Sequence, residues 1–176
     1  MLYEIRIGLS EIEPPIWRVI RVPSRTSLRR LHRILQRTMG WRDYHLHLFY
    51  VDGKRCGEPS IEWEMEVRDS RKMTLEEVFC GGRQSFLYEY DLGDSWMHEI
   101  TLLGTAEGDE RLSCTAGARA CPPEDCGGPM GYDELLAALS DPSHEEHDAM
   151  LEWVGGKFDP NAFSVAAVDR ALKRLR

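Results

Sequence analysis

The chain has 176 residues and 20.2 kDa, 42% hydrophobic and 30% charged, which is the size and make-up of one soluble globular domain spanning 1–176. No stretch approaches the ~18 consecutive apolar residues of a membrane span, and the N-terminal "MLYEIRIGLS" carries Glu4 and Arg6 inside its first apolar run, unlike an export signal. The formal charge of −8 is unevenly spread. Residues 1–55 hold eleven Lys/Arg against five Asp/Glu, residues 56–169 hold seven against twenty-five, and the last seven residues add four bases. Such a chain is no general polyanion binder, because non-specific nucleic-acid affinity comes mostly from phosphate neutralisation. Only the N-terminal third could offer a basic face.

Taken in order, Leu2, Ile5, Ile7 and Leu9 suggest a strand over 2–9. The prolines of "EIEPPIW" interrupt it before a second strand at about 16–22. Thr26 or Ser27 can cap a helix running to Met39 with Gly40 as its C-terminal glycine. On that helix Leu28, Leu31, Leu35 and Met39 form an apolar stripe, and Arg25, Arg29, Arg33 and Arg37 a basic one. "YHLHLFYV" (44–51) reads as a strand ending at an Asp52-Gly53 turn, and "IEWEMEV" (61–67) alternates as a strand with one wet side. Thr74 and Glu77 fit a capping box opening a short helix to Phe79. A hairpin of strands 85–91 and 95–103 around "LGD" follows, then a polar loop over 104–131, then helices at 132–140, about 144–154 and about 164–175. The expected class is α+β: a mostly antiparallel sheet of five or six strands, one early amphipathic helix and a helical C-terminal third.

Four constellations could carry chemistry. Cys114, Cys121 and Cys126 crowd into thirteen residues, and three thiolates could hold zinc with His98, Asp94 or His45 as the fourth ligand. The same cysteines could equally pack a Pro/Gly-stiffened loop, and Cys56 and Cys80 stand alone. In "YDLGDSWMHE", Asp91, Asp94 and His98 could bind a cation or do acid–base work, although an Asp-rich turn explains the aspartates as well. His45 and His47, two apart on a strand, would share a face. Arg25, Arg29, Arg33 and Arg37 could meet a phosphate backbone or a protein partner. The glycine-rich turn before residue 132 lacks a Walker lysine and is flanked by acids that repel phosphate, and "HEEH" has the wrong spacing for a zinc protease. There is no G-x-S-x-G elbow.

The segments "PPIWRVIRVPSRTSLRRLHRILQRTMGW", "HLHLF", "YEYDLGDSWMHEI", "CTAGARACPPEDCGGPMGYDELL" and "KFDPNAF" together resemble the plasmid pRiA4b ORF-3-like family, which is similar to the TnpR passenger proteins of the insertion element IS1096. The resemblance covers residues 2 to 172. It implies a compact α+β domain in cytoplasmic, mobile-element-associated prokaryotic proteins, with no established activity. The name TnpR suggests a resolvase-like or regulatory role, but no resolvase catalytic pattern is present in this sequence. The expectation is therefore a non-enzymatic binding or adaptor domain, contacting protein or nucleic acid through Arg25, Arg29, Arg33 and Arg37. The alternatives are a metal-dependent hydrolase or nuclease using Asp91, Asp94 and His98 with His45 or His47, or a structural zinc domain built on Cys114, Cys121 and Cys126.

Overall fold

The computed structural model describes residues 1–59, 66–107 and 111–175. Eight strands form one sheet: β1 (Leu2–Leu9), β2 (Trp17–Pro23), β3 (His47–Val51), β4 (Lys54–Gly57), β5 (Val67–Asp69), β6 (Ser85–Tyr90), β7 (Trp96–Ala106) and β8 (Ser113–Ala118). Their order is β5-β4-β3-β6-β7-β1-β2-β8, antiparallel throughout except for the β4–β5 pair. The helices are α1 (Leu28–Met39), α2 (Leu75–Val78), α3 (Gly128–Ser140), α4 (His147–Trp153) and α5 (Val165–Leu172). None of the described helices is long and apolar enough to cross a membrane.

Period-two alternation decides which side of the sheet is buried. Register pairs Ile5 with Ile20, Ile7 with Ile100, Phe86 with Ile100, and Tyr88 with both Phe49 and His98, so these side chains share one face. That face is the core. Glu4, Leu87 and Glu99 belong to the other, wetter face. The apolar stripe of α1 is buried at Leu28, Leu31, Ile34, Leu35 and Met39 against the core. Ser27 caps α1 by accepting from the Arg30 amide, and Gly40 closes it in the left-handed region (φ 93°). The Thr74–Glu77 capping box of α2 is present as expected.

The α+β class holds, but the sheet is larger than five or six strands. Strand β4 completes the hairpin at Asp52-Gly53, and β8 lies inside the segment expected to be loop. Ser-Cys-Thr-Ala-Gly-Ala has weak strand propensity and takes its conformation from pairing with β2. The strand expected at 44–51 begins only at His47. The strand expected at 61–67 lies outside the described residues except for Glu66 and Val67, the latter opening β5. In the C-terminal third, α3 starts four residues early, while α4 and α5 are shorter than expected.

The C-terminal segment is held against the sheet edge by a buried arginine. Arg18 is 3% exposed and donates to the carbonyls of Trp17, Ala118 and Arg119, each at 2.7 Å, with Phe163 stacked on the guanidinium at 4.5 Å. Burial lowers its pKa, since carbonyl dipoles rather than a carboxylate offset the desolvation. Gly117 has no side chain because one would meet the Phe163 ring at 2.4 Å.

The loop leading into α3 is fitted equally closely to the β6–β7 turn. A Cβ on Gly128 (φ 70°) would lie 2.5 Å from the Asp94 carbonyl oxygen. Gly81 (φ 78°) has open space around it. Gly128→Ala is therefore expected to destabilise by about 2–3 kcal/mol, from strain plus clash. Gly81→Ala should cost only about 1–2 kcal/mol, from its backbone angle alone. Urea denaturation of both variants checks this, and equal losses would refute the close docking of the loop.

Candidate functional site

Three regions hold the polar side chains singled out by the sequence. The first is the exposed side of α1. Arg25, Arg29, Arg30, Arg33 and Arg37 are all exposed, but they are not equivalent. Arg25 precedes the helix and faces Glu76 at 3.8 Å, and Arg29 meets Glu58 at 2.9 Å. Both pairs are solvated and contribute little stability. Arg30, Arg33 and Arg37, at i, i+3 and i+7, have no carboxylate of the described residues within ion-pair distance. Packing of α5 on α1 brings Leu175 into a recess lined by Arg30, Arg33 and Ile34, and the adjoining exposed Lys173 and Arg174 extend the positive charge there. The sequence shows these two basic segments 140 residues apart in the chain, and only the fold joins them. No acidic residue occupies the first turn of α1, so the positive end of the helix dipole adds to the arginines.

The second region is the core face beneath α1. His32 and His47 stack with ring centroids 3.4 Å apart and planes within 4°. The Asp43 carboxylate can only accept, so His32 Nε2–H donates to it at 2.7 Å and Nδ1 accepts from the Tyr88 hydroxyl at 2.8 Å. Gln36 Nε2 donates to the same hydroxyl at 3.1 Å, and Gln36 Oε1 accepts from the Asp43 amide at 3.0 Å. The four residues close a ring of hydrogen bonds, and the His32 bond to the Asp43 carboxyl holds that carboxyl below its usual pKa. His98 is fully buried, donates from Nδ1 to the Trp96 carbonyl at 2.9 Å, and meets Trp41 edge-on. Burial holds His47 down to about 3 and His98 down to about 4.

The third region is a junction of three chain segments. The Trp41 indole donates to the Pro122 carbonyl (2.9 Å), the Arg42 amide to Glu124 Oε2 (3.0 Å), and the Gly127 amide to Asp94 Oδ2 (3.1 Å). Tyr90 donates to Glu124 Oε1 at 2.6 Å while accepting from the Tyr44 amide at 3.0 Å. These bonds seat the loop after β8 on the 41–45 segment and on the β6–β7 turn. A groove of about 500 Å³ opens beside them, walled by Trp41, Tyr44, Glu124, Asp125 and the half-exposed Trp153.

Measured against the sequence-derived sets, the constellations are rearranged. His98 lies in the core and Asp94 serves the loop, so Asp91, Asp94 and His98 do not converge, whereas His45 and Asp91 do meet, at 3.6 Å. Cys114, Cys121, Cys126 and His98 likewise do not bring three donor atoms within 4.8 Å of one another. Cys114 is buried on β8, and burial pushes the Cys121 and Cys126 thiols up, Cys126 to about 12. His45 and His47 part company because the strand starts at His47, leaving His45 in the preceding loop. The group that does assemble is His45 with Asp91 and Asp125. The sequence reading weighed the first two and missed Asp125, which lies 34 residues beyond Asp91 in the chain, on a separate loop.

The model of the plasmid pRiA4b ORF-3-like protein family matches residues 1–167. The chain belongs to that family. It is 38% identical over 175 residues to the uncharacterized protein y4hQ of Sinorhizobium fredii (strain NBRC 101917 / NGR234), covering 97% of this chain and 90% of that one. The crystal structure of the protein of unknown function MM3350 from Methanosarcina mazei Go1 has the same fold, with a TM-score of 0.85, 36% identity, and coverage of 94% of this chain and 96% of that one. Neither relative's name records an activity.

The buried histidines make acid sensitivity the property to test here. In the unfolded chain both titrate near 6.5, so on acidification the unfolded state takes up their protons first. Stability is full above about pH 6.5 and falls below it, down to about pH 4 through His98 and about pH 3 through His47, by up to about 1.4 kcal/mol per pH unit for each histidine. Urea midpoints at successive pH values measure the slope, which His47→Phe should make shallower. A midpoint unchanged across that window would contradict the burial of both rings as neutral imidazoles.

Proposed function

We propose that the chain is a non-enzymatic binding module that contacts the phosphate backbone of nucleic acid through the outer face of α1, extended by the C-terminal bases. The observation that carries this reading is the stripe of Arg30, Arg33 and Arg37, exposed and with no carboxylate of the described residues in ion-pair contact (Asp43 acts on Arg33 only at longer range), in a chain that is otherwise strongly acidic. Arg25 and Arg29, by contrast, each face a carboxylate, at 3.8 and 2.9 Å. A guanidinium row along a helix suits phosphate oxygens, which it can engage bidentately, and phosphate contacts position a protein without reading sequence. The acidic remainder limits such binding to this one face and keeps it weak and salt-sensitive.

The test is fluorescence anisotropy with a short labelled DNA duplex, titrated at several salt concentrations. Wild type should bind more weakly as salt rises. Reversing Arg30, Arg33 and Arg37 to Glu should reduce affinity at low salt at least tenfold, and substituting them by Gln should reduce the salt slope by up to about 0.9 for each phosphate contact removed. All three side chains are exposed, so the variants should keep the wild-type urea midpoint to within about 0.5 kcal/mol each. Absence of duplex binding by wild type, or equal binding by the reversed variant, would reject the reading.

A further inference from the structure

The junction of the loops carries a second inference, independent of the basic face. His45 Nε2 lies 2.9 Å from Asp125 Oδ1 and 3.6 Å from Asp91 Oδ2. The three donor atoms all fall within 4.8 Å of one another. They come from three separate segments: the loop before β3, the turn after β6 and the loop after β8. Each is held by bonds of its own. Asp91 spends Oδ1 on the amides of Gly93 (3.0 Å) and Asp94 (3.3 Å), which leaves Oδ2 facing His45. Asp125 is bracketed by Glu124, fixed by Tyr90 and Arg42, and by Gly127, fixed by Asp94.

Hydrogen bonding alone does not account for this arrangement. One imidazole N–H can serve only one carboxylate well, and here Nε2 is shielded from solvent with no directed hydrogen bond to either. Two carboxylates converging on one nitrogen also repel each other unless a positive charge lies between them. An imidazolium supplies charge but only a single Nε2–H, enough for one of the two carboxylates, whereas a metal ion accepts an electron pair from all three donors together. The distances suit it: with bonds of about 2.0–2.1 Å, donor atoms around a tetrahedral zinc stand about 3.3 Å apart, and 2.9 and 3.6 Å bracket that spacing.

We propose that His45, Asp91 and Asp125 form a binding site for a divalent transition-metal ion of the zinc class. One nitrogen and two carboxylate oxygens favour such an ion over calcium or magnesium, which take oxygen ligands. Three protein ligands leave coordination positions for water or a small anionic ligand, and Asp125 also lines the groove walled by Trp41, Tyr44 and Trp153. Binding would tie together three loops that now meet only through hydrogen bonds and packing, so it would stabilise the fold by mass action.

The test uses the full-length protein, stripped with chelator, incubated with excess zinc under reductant at neutral pH, and desalted. Wild type should retain about one equivalent by elemental analysis. His45→Gln and Asp125→Asn should each lose it without a change in the thermal midpoint of the stripped protein, and Cys121→Ser and Cys126→Ser should keep it. Loss of retention in the cysteine variants, unchanged retention in His45→Gln and Asp125→Asn, or no retained zinc in wild type would each overturn the assignment. Cobalt(II) loaded into wild type provides a readout that needs no variant. Visible absorption of a nitrogen–oxygen site supports the proposal, and a thiolate charge-transfer band, or no bound cobalt, refutes it.

Discussion

The hydroxyl of Tyr88 sits in a fully desolvated place at the centre of the sheet's covered face, and an unsatisfied hydroxyl there would cost about 1–3 kcal/mol. The ring it closes with His32, Gln36 and Asp43 does more than satisfy it. His32 and Gln36 lie four apart on α1, so turning both toward Tyr88 fixes the rotation of the helix about its axis. Once that rotation is set, Arg30, Arg33 and Arg37 have only one side left to face, which is solvent. The basic face is the outer consequence of an inner hydrogen-bond ring.

The same ring sets the junction on the other side of the helix. Asp43 is tied to Gln36 through its amide and to His32 through its carboxylate, so the chain leaving α1 has little freedom in direction. Trp41 goes down into the core, Tyr44 and His45 come up beside the β6–β7 turn, and the loop after β8 docks on both. Two surfaces of opposite charge therefore share one support. Loss of the ring is expected to loosen both together.

Much of this was legible in the residues themselves. The α1 boundaries follow from Ser27 and Gly40, the α2 capping box from Thr74 and Glu77, and the β3–β4 turn from Asp52-Gly53, because these signals act within a few residues of where they occur. Strand β8 was not legible, because Ser113 to Ala118 has little preference of its own and becomes a strand only when β2 offers an edge. The site was half legible for a similar reason. His45 and Asp91 stood out as donor residues, but neither spacing nor pattern points to Asp125 as their companion. His98 was assigned to a site by its residue type, whereas its register opposite Tyr88 and Leu9 places it in the core.

By itself, then, the sequence determined what depends on near neighbours: element identity, caps, turns, the apolar and basic stripes of α1, and the sign of charge in each third of the chain. It also carried the family resemblance, which the family model bears out over residues 1–167. The tertiary structure decided which carboxylates reach which cations, so that Arg25 and Arg29 are in ion pairs while Arg30, Arg33 and Arg37 have none among the described residues. It decided too that His47 and His98 are core imidazoles and that His45, Asp91 and Asp125 meet. The reason is physical: pairing, burial and coordination depend on separations of a few ångströms between segments far apart in the chain. Those separations are fixed only when the sheet register and the loop docking are in place.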